Sequence, residues 1–129
     1  MLKFAIRTTT RSEMLDITSQ VRATLRTAGV QDGVCHLYVP HTTAGITINE
    51  GADPDVRRDV LTDLDRLIPW LGKYYHIEGN SAAHIKSILV GSSVQVFVEN
   101  GQLQLGTWQA IFFCEFDGPS EREVWVRVR

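Results

Sequence analysis

Four histidines, one acidic cluster and one broken apolar run hold most of the side chains that could do chemistry. His36 lies inside the apolar run Val34–Val39 and reads as a strand residue with a structural role. His41, His76 and His84 each lie beside an irregular segment or a helix start. A neutral imidazole can ligate zinc or hold a proton near neutral pH. No HExxH or HxH spacing groups these three, so a shared site requires the fold to bring them together; that convergence is predicted. Asn49, Glu50 and Asp53 follow the strand that begins after His41. Carboxylates at a strand end, beside a helix start, can hold a divalent cation or accept a proton. For Asp53 the simpler role is to cap the helix opened by Pro54. Glu50 has no capping task, and its alternative is a structural hydrogen bond to a nearby loop. Gly106-Thr107-Trp108-Gln109 places a glycine, a hydroxyl, an indole and an amide in an otherwise apolar run. Glycine lets a ligand approach the backbone, the hydroxyl and amide can meet a phosphate or a ring edge, and the indole can stack. The same four residues also suit a β-bulge with a core tryptophan.

The elements that must position these residues follow from periodicity. Leu2, Phe4 and Ile6 alternate with polar or small residues as a half-buried strand, and Glu13–Ile17 reads as a second, short one. Thr18 or Ser19 can cap a helix whose face carries Ile17, Val21, Leu25 and Ala28, with Gly29 as its stop. Val34–Val39 reads as an inner strand ended by Pro40. A polar corner, His41-Thr42-Thr43, leads into the alternation of Ala44, Ile46 and Ile48. Asp53-Pro54 starts a helix with a stripe of Val56, Val60, Leu61, Leu64, Leu67 and Ile68, closed by Pro69. Its charged residues form a solvated face. Residues 70–80 read as a loop. Ser81 caps a helix that points Ile85, Ile88 and Leu89 inward and ends at Gly91. Val94, Val96 and Val98 form a strand, Asn100-Gly101 a two-residue turn, and Leu103 onward the return strand, which runs apolar to Phe116. After the turn at Asp117-Gly118-Pro119, Val124, Val126 and Val128 alternate in a last strand. Partly segregated strands and helices predict one α+β domain over residues 1–129, mainly antiparallel.

Composition narrows the classes of function. The 129 residues are 43% apolar and 22% charged, enough for one core. Thirteen basic against fifteen acidic residues give a net charge of −2, with the cations dispersed. That argues against nucleic acid, whose phosphates call for a basic excess. A small anion remains compatible, since it needs only a few donors. Cys35 and Cys114 form no CxxC pair and read as buried apolar residues. The amino-terminal stretch reads as a strand rather than a signal peptide, and no stretch is long enough to span a membrane, so the expected location is the cytoplasm. Walker, GxGxxG, GxSxG and kinase motifs are absent.

Five segments in order resemble the YjbQ-like proteins, a group labelled secondary thiamine-phosphate synthases. They are His41–Glu50 with Asp53–Val56; Glu78-Gly79-Asn80 leading to His84-Ile85-Lys86; Gly91-Ser92-Ser93; Gly106–Gln109; and Glu115–Pro119. The resemblance covers nearly the whole chain and departs at Ser120, where the family usually carries an arginine; Arg122 keeps a second basic position. It implies β-sandwich-like sheets with about three helices, a homotrimer, and weak thiamine-phosphate synthase activity. That reaction joins a pyrimidine methyl diphosphate to a thiazole phosphate and releases pyrophosphate. On this reading Glu50, His41 and Asn49 are catalytic. Thr42, Thr43, Lys86, Gly106, Thr107, Trp108, Gln109 and Arg122 bind the phosphorylated substrate. His41, His76, His84 and Asp53 hold a divalent metal, zinc or magnesium. The alternatives are a non-catalytic metal- or metabolite-binding trimer and a metal-dependent hydrolase.

Overall fold

The computed structural model describes residues 1–129. Alternating side chains send one face of each of two antiparallel sheets into a shared core. The elements in chain order are β1 (Leu2–Arg7), β2 (Glu13–Asp16), α1 (Thr18–Ala28), β3 (Gly33–Tyr38) and β4 (Ala44–Glu50). Then follow α2 (Pro54–Leu67), α3 (Ser81–Val90), β5 (Ser93–Glu99), β6 (Gln102–Leu103), β7 (Gln109–Glu115) and β8 (Glu121–Val128). The larger sheet has the order β1-β8-β3-β5-β6 and the smaller β2-β7-β4. Cys35, Leu37, Val96, Val98, Val124 and Val126 of the larger sheet face Ala44, Ile46, Ile111 and Phe113 of the smaller. Ile17, Val21 and Leu25, along one side of α1, join the same core. This is the predicted α+β class, a sandwich with three helices.

The smaller sheet carries a second core on its other face. There Met14, Ala110, Phe112, Cys114 and Phe116 pack against Ala83, with Leu61, Leu64, Trp70 and Val90 half-buried around them. Strand β7 is therefore covered on both faces, and Ala110 through Phe116 are all buried. A strand covered on both faces has no solvent side to reserve for polar residues, which accounts for its unbroken apolar run. Burial pushes the Cys35 thiol up to about 11 and the Cys114 thiol up to about 12, so both are inert thiols at neutral pH.

Besides placing Asn80 rather than Ser81 at the cap of α3, the structure corrects three local expectations. Thr18 does not cap α1. Its hydroxyl donates to Asp16 Oδ1 at 2.6 Å and accepts the Ile111 N–H at 2.9 Å, so it ties the helix to β7 instead. The return strand after Asn100-Gly101 is not continuous. Only Gln102–Leu103 stay in the larger sheet, and the turn at residues 106–108 carries the chain into the smaller one.

The third correction concerns α3, whose faces are reversed. Ala82, Ala83, Lys86 and Ser87 are buried, whereas Ile88 is 80% and Leu89 64% exposed, and Ile85 is partly exposed. Close approach explains the reversal. The end of α3 lies against β4, where the Ile46 N–H donates to the Gly91 carbonyl at 3.0 Å. A Cβ at Gly45 would sit 2.6 Å from that carbonyl oxygen. Ala82, Ala83 and Ser87 take inward positions beside that contact, Lys86 is buried against Asp65 of α2, and Ile88 and Leu89 turn outward. No helix is long and apolar enough to cross a membrane.

Candidate functional site

Strand β4 separates the candidate residues into two groups, one at each end. It pairs along its length with β7, from Ala44 opposite Glu115 to Glu50 opposite Gln109. Over these seven residues, at ~3.3 Å per residue, the ends lie about 20 Å apart. His41, Thr42, Thr43, Lys86 and Arg122 belong to the first end; Asn49, Glu50, Asp53 and residues 106–109 belong to the second.

At the first end the polypeptide passes between the sheets. In the β3–β8 pairing Tyr38 faces Trp125, so Glu123 lies two residues past the last paired position. There the His41 ring takes over the role of the strand, and its Nε2 accepts the Glu123 N–H at 2.9 Å. Burial lowers the His41 pKa, and the Arg122 charge lowers it further, against weaker opposing effects of Glu115 and Glu123. His41 is therefore neutral near pH 7.

Behind His41 sits a charged pair that the sequence did not reveal. Glu115 is fully buried at the end of β7, on the inward register shared by Ile111 and Phe113. One of its oxygens accepts Thr8 Oγ1–H at 2.7 Å and Arg122 Nε–H at 2.8 Å. The other accepts Arg122 Nη2–H at 2.5 Å and the N–H groups of Phe116 and Asp117 at 3.1 and 3.0 Å. Burial alone would raise the Glu115 pKa. The Arg122 hydrogen bond, the Asp117 N–H, Thr8 and the Arg122 charge together outweigh it and hold the carboxyl below its usual range. Arg122 Nη2 also donates to Thr43 Oγ1 at 2.9 Å, which fixes the corner after His41. Arg122 is thus engaged by its own chain rather than free for a phosphate. The same holds for Lys86, which is buried and ion-paired with Asp65 of α2, its ammonium 6.0 Å from the Phe116 ring centre. The one available signal for Glu115 was an acidic residue in inward register at the end of an apolar strand.

A groove of about 340 Å³ opens beside His41, lined by Thr42, His84, Ser87, Ile88 and Ser92 among others. His84 also faces a second groove, with Tyr74, Tyr75 and His76. The His76 and His84 rings meet edge to face at 5.4 Å between centres, and Glu78 Oε1 lies 3.9 Å from His76 Nε2. His84 therefore stands between His41 and His76 and shares a groove with each. Within the chain no three His, Cys, Asp or Glu side chains are grouped so as to hold a metal. His36 lies apart, exposed on the outer face of the larger sheet.

At the second end the side chains close their own turns. Asp53 Oδ1 accepts the Asp55 N–H at 2.9 Å and caps α2, the simpler of its two roles. Glu50 Oε2 accepts the Ala52 N–H at 2.8 Å. Gln109 Oε1 accepts the Gly106 N–H at 2.8 Å and shapes the turn, and the Trp108 carbonyl accepts the Gly51 N–H at 2.8 Å. Trp108 is 65% exposed, so it is not a core tryptophan. Its ring stands on a turn pinned to the end of β4, with a face open for stacking. Asn49 is exposed beside it on the strand.

Comparison with known proteins places these features in a family. A family model described as UPF0047 protein YjbQ-like matches residues 2–129. The UPF0047 protein YugU of Bacillus subtilis is 55% identical over 99% of this chain and 98% of its own. A UPF0047 protein of Methanocaldococcus jannaschii is 50% identical over 99% of this chain and 93% of its own. The crystal structure of an uncharacterised YjbQ/UPF0047 protein from Clostridium acetobutylicum superposes with a TM-score of 0.98 at 51% identity, covering all of both chains. A conserved hypothetical protein from Thermus thermophilus superposes at 0.93 with 43% identity, also over all of both chains.

Proposed function

Since the chain belongs to the YjbQ-like UPF0047 family, we propose that it is a transferase acting on small phosphorylated heterocycles, with weak thiamine-phosphate synthase activity. The observation that carries this reading is the groove in which His41, Thr42, His84 and Ser92 meet. Its size suits a phosphorylated small molecule. An exposed indole at the other end of β4 supplies a stacking surface for a heterocycle, and Glu50 beside it supplies a carboxylate base.

The two ends are too far apart to act together in one protomer, and this reading joins them across subunits of a homotrimer. Two different apolar surfaces favour such an assembly. One is the outer side of α3, with Ile88 and Leu89; the other is the outer face of the larger sheet, with Tyr38, Phe97 and Trp125. The helix covers one sheet, and the open face belongs to the other. Unlike surfaces pair head to tail and close into a ring when the rotation between neighbours permits it, whereas one self-complementary patch would give a dimer. Ile88 also borders the His41 groove, so a neighbour seated on α3 completes its wall.

Departure of pyrophosphate is aided by a divalent cation. The His76–His84 pair offers two imidazoles, fewer than a metal needs, so the remaining ligands on this reading come from substrate or a neighbour. The non-catalytic reading is favoured by one fact: Lys86 and Arg122 are both committed to carboxylates of their own chain. The deciding experiment incubates the purified protein with the pyrimidine diphosphate and the thiazole phosphate, with magnesium, with zinc, or with chelator. Thiamine phosphate and pyrophosphate formed in equal amounts support the transferase. Tight binding of either substrate without product supports the binding protein.

A further inference from the structure

We propose that the His41 groove is an oxyanion site built from neutral donors, in which His41 serves as an Nδ1–H hydrogen-bond donor and neither as a metal ligand nor as a charged base. This rests on the reading of the groove as a phosphate site and specifies how that site works. The argument starts from a single hydrogen bond. A backbone N–H can only donate, so His41 Nε2, which faces the Glu123 N–H at 2.9 Å, must present a lone pair. A neutral imidazole carries one proton, and that proton is then on Nδ1. Protonating Nε2 would set two N–H groups against each other beside the Arg122 guanidinium. Coordinating a metal at Nε2 would displace the amide, and Nδ1 has no lone pair to offer.

The groove's remaining lining fits the same chemistry. Thr42 and Ser92 are exposed residues whose hydroxyls can donate, and no carboxylate lines the cavity. A cation would find little to replace its water shell there, since hard cations require several oxygen ligands including carboxylates. One feature opposes an anion: the last turn of α3, at Ser87–Gly91, presents the negative end of its dipole. At an exposed site that effect is about 0.3–1 kcal/mol. A single hydrogen bond to a charged group contributes about 1.5–3 kcal/mol, so two or three donors outweigh it.

The test uses the full chain with ¹⁵N-labelled histidine. Long-range ¹H–¹⁵N spectra at pH 7.5 are expected to show His41 protonated at Nδ1 and bare at Nε2. Inorganic phosphate should shift the His41 Nδ1–H resonance, and Thr42→Val with Ser92→Ala should weaken that binding about tenfold or more. Zinc should leave the His41 signals in place. An Nε2–H tautomer, a zinc-dependent shift of His41, or phosphate binding that leaves His41 unperturbed would each overturn the proposal. So would a failure of phosphate to bind. Turnover of the thiamine precursors with any of these outcomes would preserve the transferase reading while removing this one. The expected spectra with no turnover would do the reverse.

Discussion

Changing Glu115 to glutamine removes one charge and almost no volume, from a position with no access to water. The carboxylate accepts five hydrogen bonds, three on one oxygen and two on the other. A glutamine amide keeps one acceptor oxygen and turns the other side into a donor. With its NH₂ placed toward Thr8 and Arg122 Nε, two donors lose their acceptor; in the other orientation three do. Each buried donor left unpaired costs about 1–3 kcal/mol. Breaking a buried ion pair by removing one partner costs about 3–5 kcal/mol in total. At roughly 4 °C per kcal/mol for a domain of this size, Glu115→Gln should lower the melting temperature by about 12–20 °C. Calorimetry at fixed protein concentration measures this, since any assembly makes the midpoint concentration-dependent. Two further variants separate charge from shape. Arg122→Met alone should cost a similar amount, and Glu115→Leu with Arg122→Met should cost clearly less than the sum of the singles. A drop under about 4 °C for Glu115→Gln, or additive costs in the double variant, would refute the account of this pair as an isolated buried ion pair.

Other expectations are simpler to check. Ile88→Asp places a charge on an exposed apolar helix face, so light scattering should show a smaller assembly while circular dichroism stays native; an unchanged mass would remove α3 from the interface. Glu50→Gln retains an oxygen for the Ala52 N–H, so stability should change by no more than about 0.5 kcal/mol, while turnover falls about 10²–10⁴-fold if Glu50 is the base. His41 is depressed below 6.5 by burial and by Arg122, against Glu115 and Glu123. Between that lowered pKa and 6.5 the unfolded chain holds more protons than the folded one. Stability should therefore be full above 6.5, fall as pH drops through that window, and lose nothing further to His41 below it. Urea midpoints for wild type and His41→Gln at pH 7.5 and 5.5 should show that slice of pH dependence in the wild type alone.

The strands and the motif order were legible because period-two alternation and turn residues act locally. Leu2, Phe4 and Ile6 or Asn100-Gly101 carry their meaning within a few residues. The face of α3 was not legible. Periodicity shows that Ile85, Ile88 and Leu89 share a side, but Gly45 and Gly91, far apart in sequence, decide that this side cannot face the sheet. The split of the candidate site was hidden for a related reason. His41 and Glu50 are only nine positions apart, yet an extended strand turns that short interval into the length of the sandwich. Glu115 was overlooked as a functional residue because an acidic residue at a strand end reads as solvent-facing until its partner on another strand is known.

The placement of β7 also fixes how the molecule opens. Its amides lie between two hydrogen-bonded neighbours and under side-chain layers on both faces. Hydrogen exchange there should proceed only through global unfolding, while two-residue β6 and the loop at 70–80 exchange through local fluctuations. Glu115 is therefore anchored in the slowest-exchanging segment of the chain. The His41 corner is tied to that anchor at several points: Arg122 bridges Glu115 to Thr43, the Phe116 N–H donates to the Thr43 carbonyl, and Ala44 pairs with Glu115. A ligand entering the groove therefore meets a His41 corner already ordered by the strand that opens last.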